Sequence, residues 1–190
     1  MNQQLHILYL PGLGDNLDTW RLRALTQWRF RDVSVELVPM KWGTGTFEQK
    51  IARIDQAIDR ASDKRIVLLG ESAGGSMVVH TMARRGGDIH KAMTICGKNT
   101  NPQTVGQSYY DKYPTFKASM DVLNESLKKI GVRDRQKFIS IHPLFDPVVP
   151  VKDTKIKGGK DVTLPVYGHF VAIGFGLTVL SPIIVRAARR

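Results

Sequence analysis

The feature that most constrains this chain is the pentapeptide Gly-Glu-Ser-Ala-Gly at positions 70–74. It follows an apolar run of strand length at 65–69 and precedes a segment with a helical pattern at 75–80. Small residues two positions before and two after Ser72 let a strand and a helix approach closely while the serine takes a strained backbone conformation. Such a turn exposes the hydroxyl and is typical of a nucleophilic serine. An ordinary glycine-rich turn has similar letters, so the partner residues decide between the two.

A nucleophilic serine needs a base, and four histidines follow Ser72 in the chain. His80 lies about two turns into the next helix, which carries it away from the serine. His90 begins a strand at the opposite end of the sheet, and His142 is followed at once by a proline. His169 lies in a loop after the last strand-like run, and we therefore predict that it is the base.

The best candidate for an acid is Asp146, in the loop 142–150 after a buried strand at 137–141. The carboxyl ends of parallel strands are where open α/β sheets place their sites. Asp146 also precedes Pro147 and can simply open a turn. Asp153 and Asp161 are weaker rivals, the first in a lysine-rich loop and the second at the start of a strand.

A glycine-rich loop at 11–16 follows the first strand, 5–10. A backbone N–H of such a loop can bind a developing oxyanion, with a second donor from the residue after the serine. Dinucleotide binding is the alternative interpretation. It is disfavoured because the residues read Gly-Leu-Gly-Asp-Asn-Leu rather than the dinucleotide-binding fingerprint.

Over nearly its whole length, the chain resembles the α/β-hydrolase superfamily, and specifically its small, lid-poor serine hydrolases. The resemblance rests on the glycine-rich loop, the pentapeptide, the Asp-Pro loop and the Gly-His pair. It implies Ser72 as the nucleophile, His169 as the base and Asp146 as the orienting acid. It also implies the backbone N–H groups of Leu13 and Ala73 as oxyanion donors.

The alternation of strands and helices predicts a parallel sheet covered by helices on both faces. The resemblance implies a single α/β-hydrolase domain over 1–190, with a trimmed, mostly parallel six-stranded sheet. Pro11 stands where the family usually has histidine, which leaves the donor at Leu13 intact. The strand near Leu5 should lie centrally, between those near Val33 and Ile66. The six strands should begin near Leu5, Val33, Ile66, Ala92, Phe138 and Val162.

The least regular stretch, 97–136, is predicted to form a small cap or lid within the domain. Tyr109, Tyr110 and Tyr113 lie in it and can line an acyl pocket, although packing on the core explains them equally well. Helices are expected over 20–28, over 47–62 with a capping box at Thr46 and Gln49, and over 116–129.

Lys and Arg number 28 against 17 Asp and Glu, for a net charge of +11, and most of the excess lies in residues 96–190. Such a surface favours anionic partners, but no nucleic-acid motif accompanies it. The uncharged run 170–185 is shorter than the ~20 residues of a membrane span, so we expect a final helix on the sheet. A membrane surface is therefore a possible partner but not the favoured one.

A cytoplasmic location is expected, because no signal-peptide pattern is visible and the single cysteine, Cys96, fits a reducing compartment. Histidines and carboxylates lack metal-ligand spacing, so neither a metal nor a cofactor is expected. Three hypotheses follow. The first is a serine hydrolase of small carboxylic esters or thioesters that forms an acyl-enzyme. The others are a hydrolase-fold binding protein with little activity and a peripheral membrane lipase. The sequence leaves the oligomeric state open.

Overall fold

The sheet is six-stranded and parallel throughout residues 4–189, which are the residues that the computed structural model describes. Its strands follow the order β2-β1-β3-β4-β5-β6. The predicted fold class is confirmed, and β1 lies between β2 and β3 as expected, although β3 and β4 occupy the middle. The strands are β1 Leu5–Leu10, β2 Val33–Leu37, β3 Arg65–Glu71, β4 Ile89–Ile95, β5 Phe138–Phe145 and β6 Lys160–Tyr167.

Ten α-helices connect these strands or follow them within the same residues. The helices are α1 Asp18–Thr26, α2 Phe47–Arg60, α3 Gly74–Arg85, α4 Gln107–Lys112, α5 Pro114–Asp121, α6 Leu123–Lys129, α7 Val132–Arg135, α8 Val151–Thr154, α9 His169–Leu177 and α10 Ser181–Arg189. Short 3₁₀ turns occupy Asp15–Leu17, Gly86–Asp88 and Pro102–Thr104.

The side chains of β1 alternate between two hydrophobic cores, one on each face of the sheet. Leu8 and Leu10 pack in the core that α2, α3, α5 and α6 cover. Ile7 and Tyr9 pack in the core that α1, α9 and α10 cover. Parallel strands need crossover connections, and these place helices on both faces.

The segment 97–136 contributes α4 to α7, and its helices α5 and α6 pack on the α3 face of the sheet. Phe116, Met120 and Leu123 from these helices are buried in that core. The helix expected over 116–129 is interrupted at Val122, where the backbone leaves helical geometry. That the segment acts as a small cap or lid stays a prediction.

Two further helix predictions have different outcomes. The capping box is confirmed, since Thr46 Oγ1 accepts from the Gln49 N–H and the Gln49 side chain accepts from the Thr46 N–H. The prediction of a single final helix is wrong, because α9 and α10 are separate helices with a bend of 72° between them. Pro182 near the start of α10 lacks an N–H, so a continuous helix would lose a hydrogen bond there. Within residues 4–189 no single helix is long and apolar enough to span a membrane, and only the bent α9–α10 pair meets that description together.

Candidate active site

Ser72 occupies the sharp turn between β3 and α3 and has φ +49°, a left-handed conformation that is strained for a serine. The two glycines around it are required by close packing. A Cβ on Gly70 would lie 2.6 Å from the carbonyl oxygen of Gly74, and one on Gly74 would lie 2.0 Å from that of Leu10. The pentapeptide therefore fits here because larger side chains would separate the strand from the helix.

Three side chains form one hydrogen-bonded chain at the carboxyl ends of β3, β5 and β6. The Ser72 hydroxyl lies 3.0 Å from His169 Nε2. His169 Nδ1 lies 2.7 Å from Asp146 Oδ2. His169 is the first residue of α9, and Asp146 directly follows β5. The sequence predicted contacts between these three residues, and the structure brings them together.

The surroundings of Asp146 keep it ionised. Its Oδ1 accepts 2.9 Å hydrogen bonds from the backbone N–H groups of Val148 and Val149. Burial alone would raise the pKa of Asp146, but the hydrogen bonds from His169, Val149 and Val148 outweigh it and hold that pKa below its ordinary value. A carboxylate only accepts hydrogen bonds, so His169 Nδ1 carries the proton and Nε2 is left to accept from Ser72.

The other histidines after Ser72 are engaged elsewhere. His80 contacts Ser119 and Ser126 in the segment between β4 and β5. His90 pairs with Arg65, and the buried His142 places Nδ1 3.0 Å from the Pro143 carbonyl oxygen.

The rival acids are also accounted for. Asp153 forms a buried ion pair with Lys98, with Nζ 2.7 Å from Oδ2. Asp161 pairs with Lys155 near the surface. Among the candidate acids, Asp146 is the one that contacts His169.

The two residues predicted to supply oxyanion donors, Leu13 and Ala73, border the same cavity as Ser72. Leu13 lies in the loop after β1, and Ala73 follows the serine. Within residues 4–189, neither backbone N–H has a hydrogen-bond acceptor. A Cβ on Gly12 would lie 2.9 Å from Ser72 Cβ, so the loop passes directly against the serine. Two free N–H groups beside a nucleophile can stabilise an oxyanion.

A cavity of about 70 Å³ adjoins Ser72. Tyr109 and Phe116 contribute to its wall from the segment between β4 and β5, and Val148 and Val149 contribute from the Asp146 loop. Lys98 and Thr104 add polar groups. The wall is mainly apolar and suits a small acyl group.

Of the three tyrosines predicted to line a pocket, only Tyr109 borders this cavity within the described residues. Tyr110 instead donates from its hydroxyl to the Pro102 carbonyl oxygen at 2.6 Å, and its ring packs on Phe116. Tyr113 packs against the core of the α3 face. The core-packing alternative therefore describes Tyr110 and Tyr113 correctly, because both rings turn inward on these short helices.

Within residues 4–189, one group of side chains has the donor types of a metal site: ligating atoms of Cys96, Asp146 and His169 lie within 4.8 Å of one another. Burial, together with the charge of Asp146, raises the pKa of the Cys96 thiol. The carboxylate and the imidazole are already bonded to each other, with His169 Nδ1 2.7 Å from Asp146 Oδ2. This donor set therefore fits a hydrogen-bonded chain better than a metal.

Sequence reasoning missed two buried ion pairs at the site, Arg21–Glu71 and Lys98–Asp153. One signal was available: Glu71 is a charged residue at the end of an apolar strand, next to the predicted nucleophile. A charge at such a position is rarely buried without a partner. The partner of Glu71 is Arg21, 50 positions earlier, and no local sequence pattern indicates it.

Neither a protein-family model nor a curated protein matches the sequence. Solved structures do match. Est1E from Butyrivibrio proteoclasticus has a TM-score of 0.68 at 14% identity, with 100% of this chain and 90% of that chain covered. The esterase domain of a Rhodothermus marinus protein has a TM-score of 0.67 at 14% identity, with 100% of this chain and 88% of that chain covered. The enol-lactonase from Burkholderia xenovorans has a TM-score of 0.61 at 15% identity, with 100% of this chain and 93% of that chain covered. The chain has the α/β-hydrolase fold.

Proposed function

We propose that this protein is a serine hydrolase that cleaves a small carboxylic ester or thioester through an acyl-enzyme. The observation that carries the proposal is the hydrogen-bonded chain from Ser72 through His169 to Asp146, with distances of 3.0 and 2.7 Å. These are the distances that general-base activation of a nucleophile requires.

In the first half of the reaction, Ser72 Oγ attacks the carbonyl carbon while its proton passes to His169 Nε2. The carbonyl π electrons move to oxygen and give a tetrahedral oxyanion. When the intermediate collapses, the bond to the leaving group breaks and His169 returns the proton to it, which leaves Ser72 acylated. Water then attacks with the same base and releases the acid. Asp146 holds the imidazole tautomer and stabilises the imidazolium.

The backbone N–H groups of Leu13 and Ala73 are proposed to bind the oxyanion, because both residues border the Ser72 cavity and neither N–H has an acceptor within residues 4–189. Ala73 lies at the amino end of α3, where the helix dipole also favours negative charge. Removing a single donor of this kind costs on the order of 10²–10³ in kcat in other enzymes.

Two observations support the substrate class. The small, mainly apolar cavity next to Ser72 fits a short acyl chain. The structures with similar folds include proteins described as esterases, lipolytic enzymes and an enol-lactonase. Since the shared fold hosts many chemistries, the site residues carry the argument and these names only support it.

The deciding experiment is hydrolysis of p-nitrophenyl acetate and butyrate, combined with labelling by a fluorophosphonate. We expect the wild type to hydrolyse both esters and to be labelled at Ser72. Ser72→Ala and His169→Ala should each lower kcat by several orders of magnitude, and Asp146→Asn should lower it less. The double variant Ser72→Ala/His169→Ala should be little slower than either single variant, because the two residues act as a unit.

Two control variants match these substitutions. Ser108→Ala changes an exposed serine on α4, and His142→Gln changes a buried histidine outside the hydrogen-bonded chain. Both should retain wild-type rates. Esterase activity in Ser72→Ala would refute the nucleophile assignment. A wild type that hydrolyses nothing and resists the fluorophosphonate would favour the alternative of a binding protein with little activity.

A second candidate, a hydrolase acting at a membrane surface, is favoured by one observation. Phe145, Tyr167 and Phe170 are 60%, 69% and 71% exposed, and all lie within a residue or two of Asp146 or His169. Exposed apolar side chains together with a charge of +11 suit an anionic lipid surface. Co-sedimentation with anionic vesicles tests this, with Phe170→Ser as the variant. Failure to pellet at low ionic strength would leave the hydrolase of small dissolved esters.

A further inference from the structure

A buried ion pair connects α1 to the residue directly before Ser72. Arg21 and Glu71 are only 2% and 4% exposed. The guanidinium binds the carboxylate through two bonds, Nε to Oε2 at 2.8 Å and Nη2 to Oε1 at 2.6 Å. Burying two charges costs several kcal/mol per ion, and a well-packed apolar pair is often as stable. Stability alone therefore does not explain why this ion pair lies next to the proposed nucleophile.

The remaining donors of Arg21 point to the glycine-rich loop. Nη1 donates to the Gly14 carbonyl oxygen at 2.8 Å, and Nη2 donates to that of Leu13 at 3.2 Å. Nη1 also donates to Asp18 Oδ1 at 2.9 Å. With the two bonds to Glu71, all five N–H donors of the guanidinium are used. One side chain thus connects the loop after β1 to the end of β3.

The carboxylate of Glu71 lies against the same loop. A Cβ on Gly12 would lie 3.0 Å from Glu71 Oε1 and 2.9 Å from Ser72 Cβ. The Tyr9 hydroxyl also donates to Glu71 Oε2, so the carboxylate is fixed from β1 as well. The negative charge is therefore held next to the place where the proposed oxyanion would form.

We infer that Arg21 is a positioning residue for the oxyanion hole: by holding the carbonyls of Leu13 and Gly14, it anchors the backbone directly after the Leu13 N–H and so keeps that N–H at the Ser72 cavity, and it neutralises Glu71. The inference rests on the proposed hydrolase function. Leu13 and Gly14 lie outside the sheet, and a loop of this kind can rotate its peptide groups unless its carbonyls are held. A preorganised donor stabilises an oxyanion without reorganisation during the reaction, whereas a rotating donor does not.

The variant that tests this is Arg21→Lys, because lysine keeps the positive charge but cannot make the forked contacts to a carboxylate and two carbonyls. The matched control is Arg85→Lys. Arg85, the last residue of α3, also binds two carboxylates and one carbonyl: the Asp59 carboxylate and the Asp55 carbonyl on α2, and the Asp88 carboxylate in the 3₁₀ turn after α3. Titration with a fluorophosphonate counts active sites, so that rates refer to folded enzyme.

For Arg21→Lys we expect kcat to fall on the order of 10²-fold while KM stays within about twofold of the wild-type value. The inhibition constant of a trifluoromethyl ketone, which forms a tetrahedral adduct on Ser72, should rise by a similar factor. Arg85→Lys should change neither quantity. A purely structural role of Arg21 would lower the count of active sites but leave both quantities per active site unchanged, and that result would overturn the inference.

A second pair of variants separates the two parts of the role and remains informative if Arg21→Lys folds poorly. Glu71→Gln removes the charge that needs neutralising, and Arg21→Gln removes the bonds to Leu13 and Gly14. If holding the loop matters, the double variant is as slow as Arg21→Gln alone. Recovery of the wild-type kcat in the double variant would overturn the loop-holding role and leave charge neutralisation only.

Backbone amide exchange of the loop provides a readout that does not depend on activity. We expect residues 12–14 to exchange faster in Arg21→Lys than in the wild type or in Arg85→Lys. An inactive wild type with this exchange pattern would contradict the proposed hydrolase and retain the loop contact. An active wild type whose loop and kcat are unaffected by Arg21→Lys would contradict the inference and retain the hydrolase.

Discussion

Two buried ion pairs contact the backbone around Ser72, and they hold different parts of the site. Arg21 and Glu71 connect the loop after β1 to the end of β3. Lys98 and Asp153 connect the segment after β4 to α8, and the backbone N–H of Lys98 donates to the Ser72 carbonyl oxygen at 2.8 Å. Both pairs are shielded from water, where ion pairs need complete hydrogen bonding to be tolerated.

The difference between the pairs lies in which partner collects the contacts. In the first pair the cation, Arg21, makes the additional hydrogen bonds, and two of them go to carbonyls of the proposed oxyanion loop. In the second the anion does so: Asp153 accepts from Asn101 Nδ2 at 2.6 Å and from Thr104, and its backbone carbonyl accepts from Asn99 and Thr100 at 3.1 and 3.0 Å. The first pair therefore holds the backbone of the proposed oxyanion loop, whereas the second shapes the cavity wall that includes Lys98 and Thr104.

The largest expected effect on stability comes from Asp153→Ala. Burial alone would raise the pKa of Asp153, but hydrogen bonds from Lys98, Thr104 and Asn101 hold it below its ordinary value, so the group is a carboxylate at neutral pH. Removing it leaves the Lys98 ammonium buried without its partner, which costs about 3–5 kcal/mol of unfolding free energy. Urea unfolding followed by circular dichroism measures this.

The control for this variant is Asp161→Ala, whose partner Lys155 lies 3.0 Å away in a half-exposed pair. It should cost less than about 1 kcal/mol. Per active site, Asp153→Ala should raise KM more than it lowers kcat, because it alters the cavity wall. A fall in kcat at constant KM, the pattern expected for Arg21→Lys, would show that the two pairs do not differ in role.

The comparison also shows what the sequence can predict. Ser72, His169 and Asp146 were predictable because each lies in a short local pattern: a strand–turn–helix motif, a Gly-His pair and an Asp-Pro loop at a strand end. The positions of the six strands followed from apolar runs, and the placement of β1 between β2 and β3 followed from crossover handedness. These signals are encoded within a few residues.

The ion pairs were not predictable in this way, since their partners are 50 and 55 positions apart and no periodicity connects them. The inward rotation of Tyr110 and Tyr113 depends on how α4 and α5 pack, which the short helical patterns do not define. The bend after Leu177, by contrast, had a local signal in Pro182. Contacts set by tertiary packing account for most of what was missed.

A neutral buried network at α3 should make stability depend on pH at higher pH values than those at which Asp153 loses its charge. His80 Nδ1 lies 2.8 Å from Ser126 Oγ, and Nε2 lies 3.0 Å from Ser119 Oγ. Burial, aided by the charge of Arg84, lowers the pKa of His80 to about 4. The unfolded chain therefore binds this proton at higher pH than the folded chain, and stability falls as the pH drops from about 6.5 towards 4.

The loss over this range is on the order of 3 kcal/mol, from a shift of more than two pKa units at 1.36 kcal/mol each. The measurement is urea unfolding of wild type and His80→Gln at pH 8 and pH 5, an interval that includes about 2 kcal/mol of this loss. The variant should lose most of the pH dependence in that window. Asp146 and Asp153 have lowered pKa values, so their stabilisation is lost only at still lower pH. An equal pH dependence in both proteins would contradict the assignment to His80.

The smallest expected effect tests whether burial, rather than bond length, makes the pairs at the site matter. Lys117 and Asp121 on α5 have the same 2.7 Å separation as Lys98 and Asp153, but their side chains are 47% and 56% exposed. Lys117 is also the N-terminal partner at i,i+4, which is the less favourable orientation on a helix. Lys117→Met should therefore change the unfolding free energy by no more than about 0.5 kcal/mol. The urea midpoint of this variant, measured beside Asp153→Ala at 0.1 and 1 M salt, checks it. Water and salt weaken an exposed contact far more than a buried one, which is why a small effect is expected. An unfolding cost approaching that of Asp153→Ala would contradict this and would mean that bond geometry alone determines the strength of these pairs.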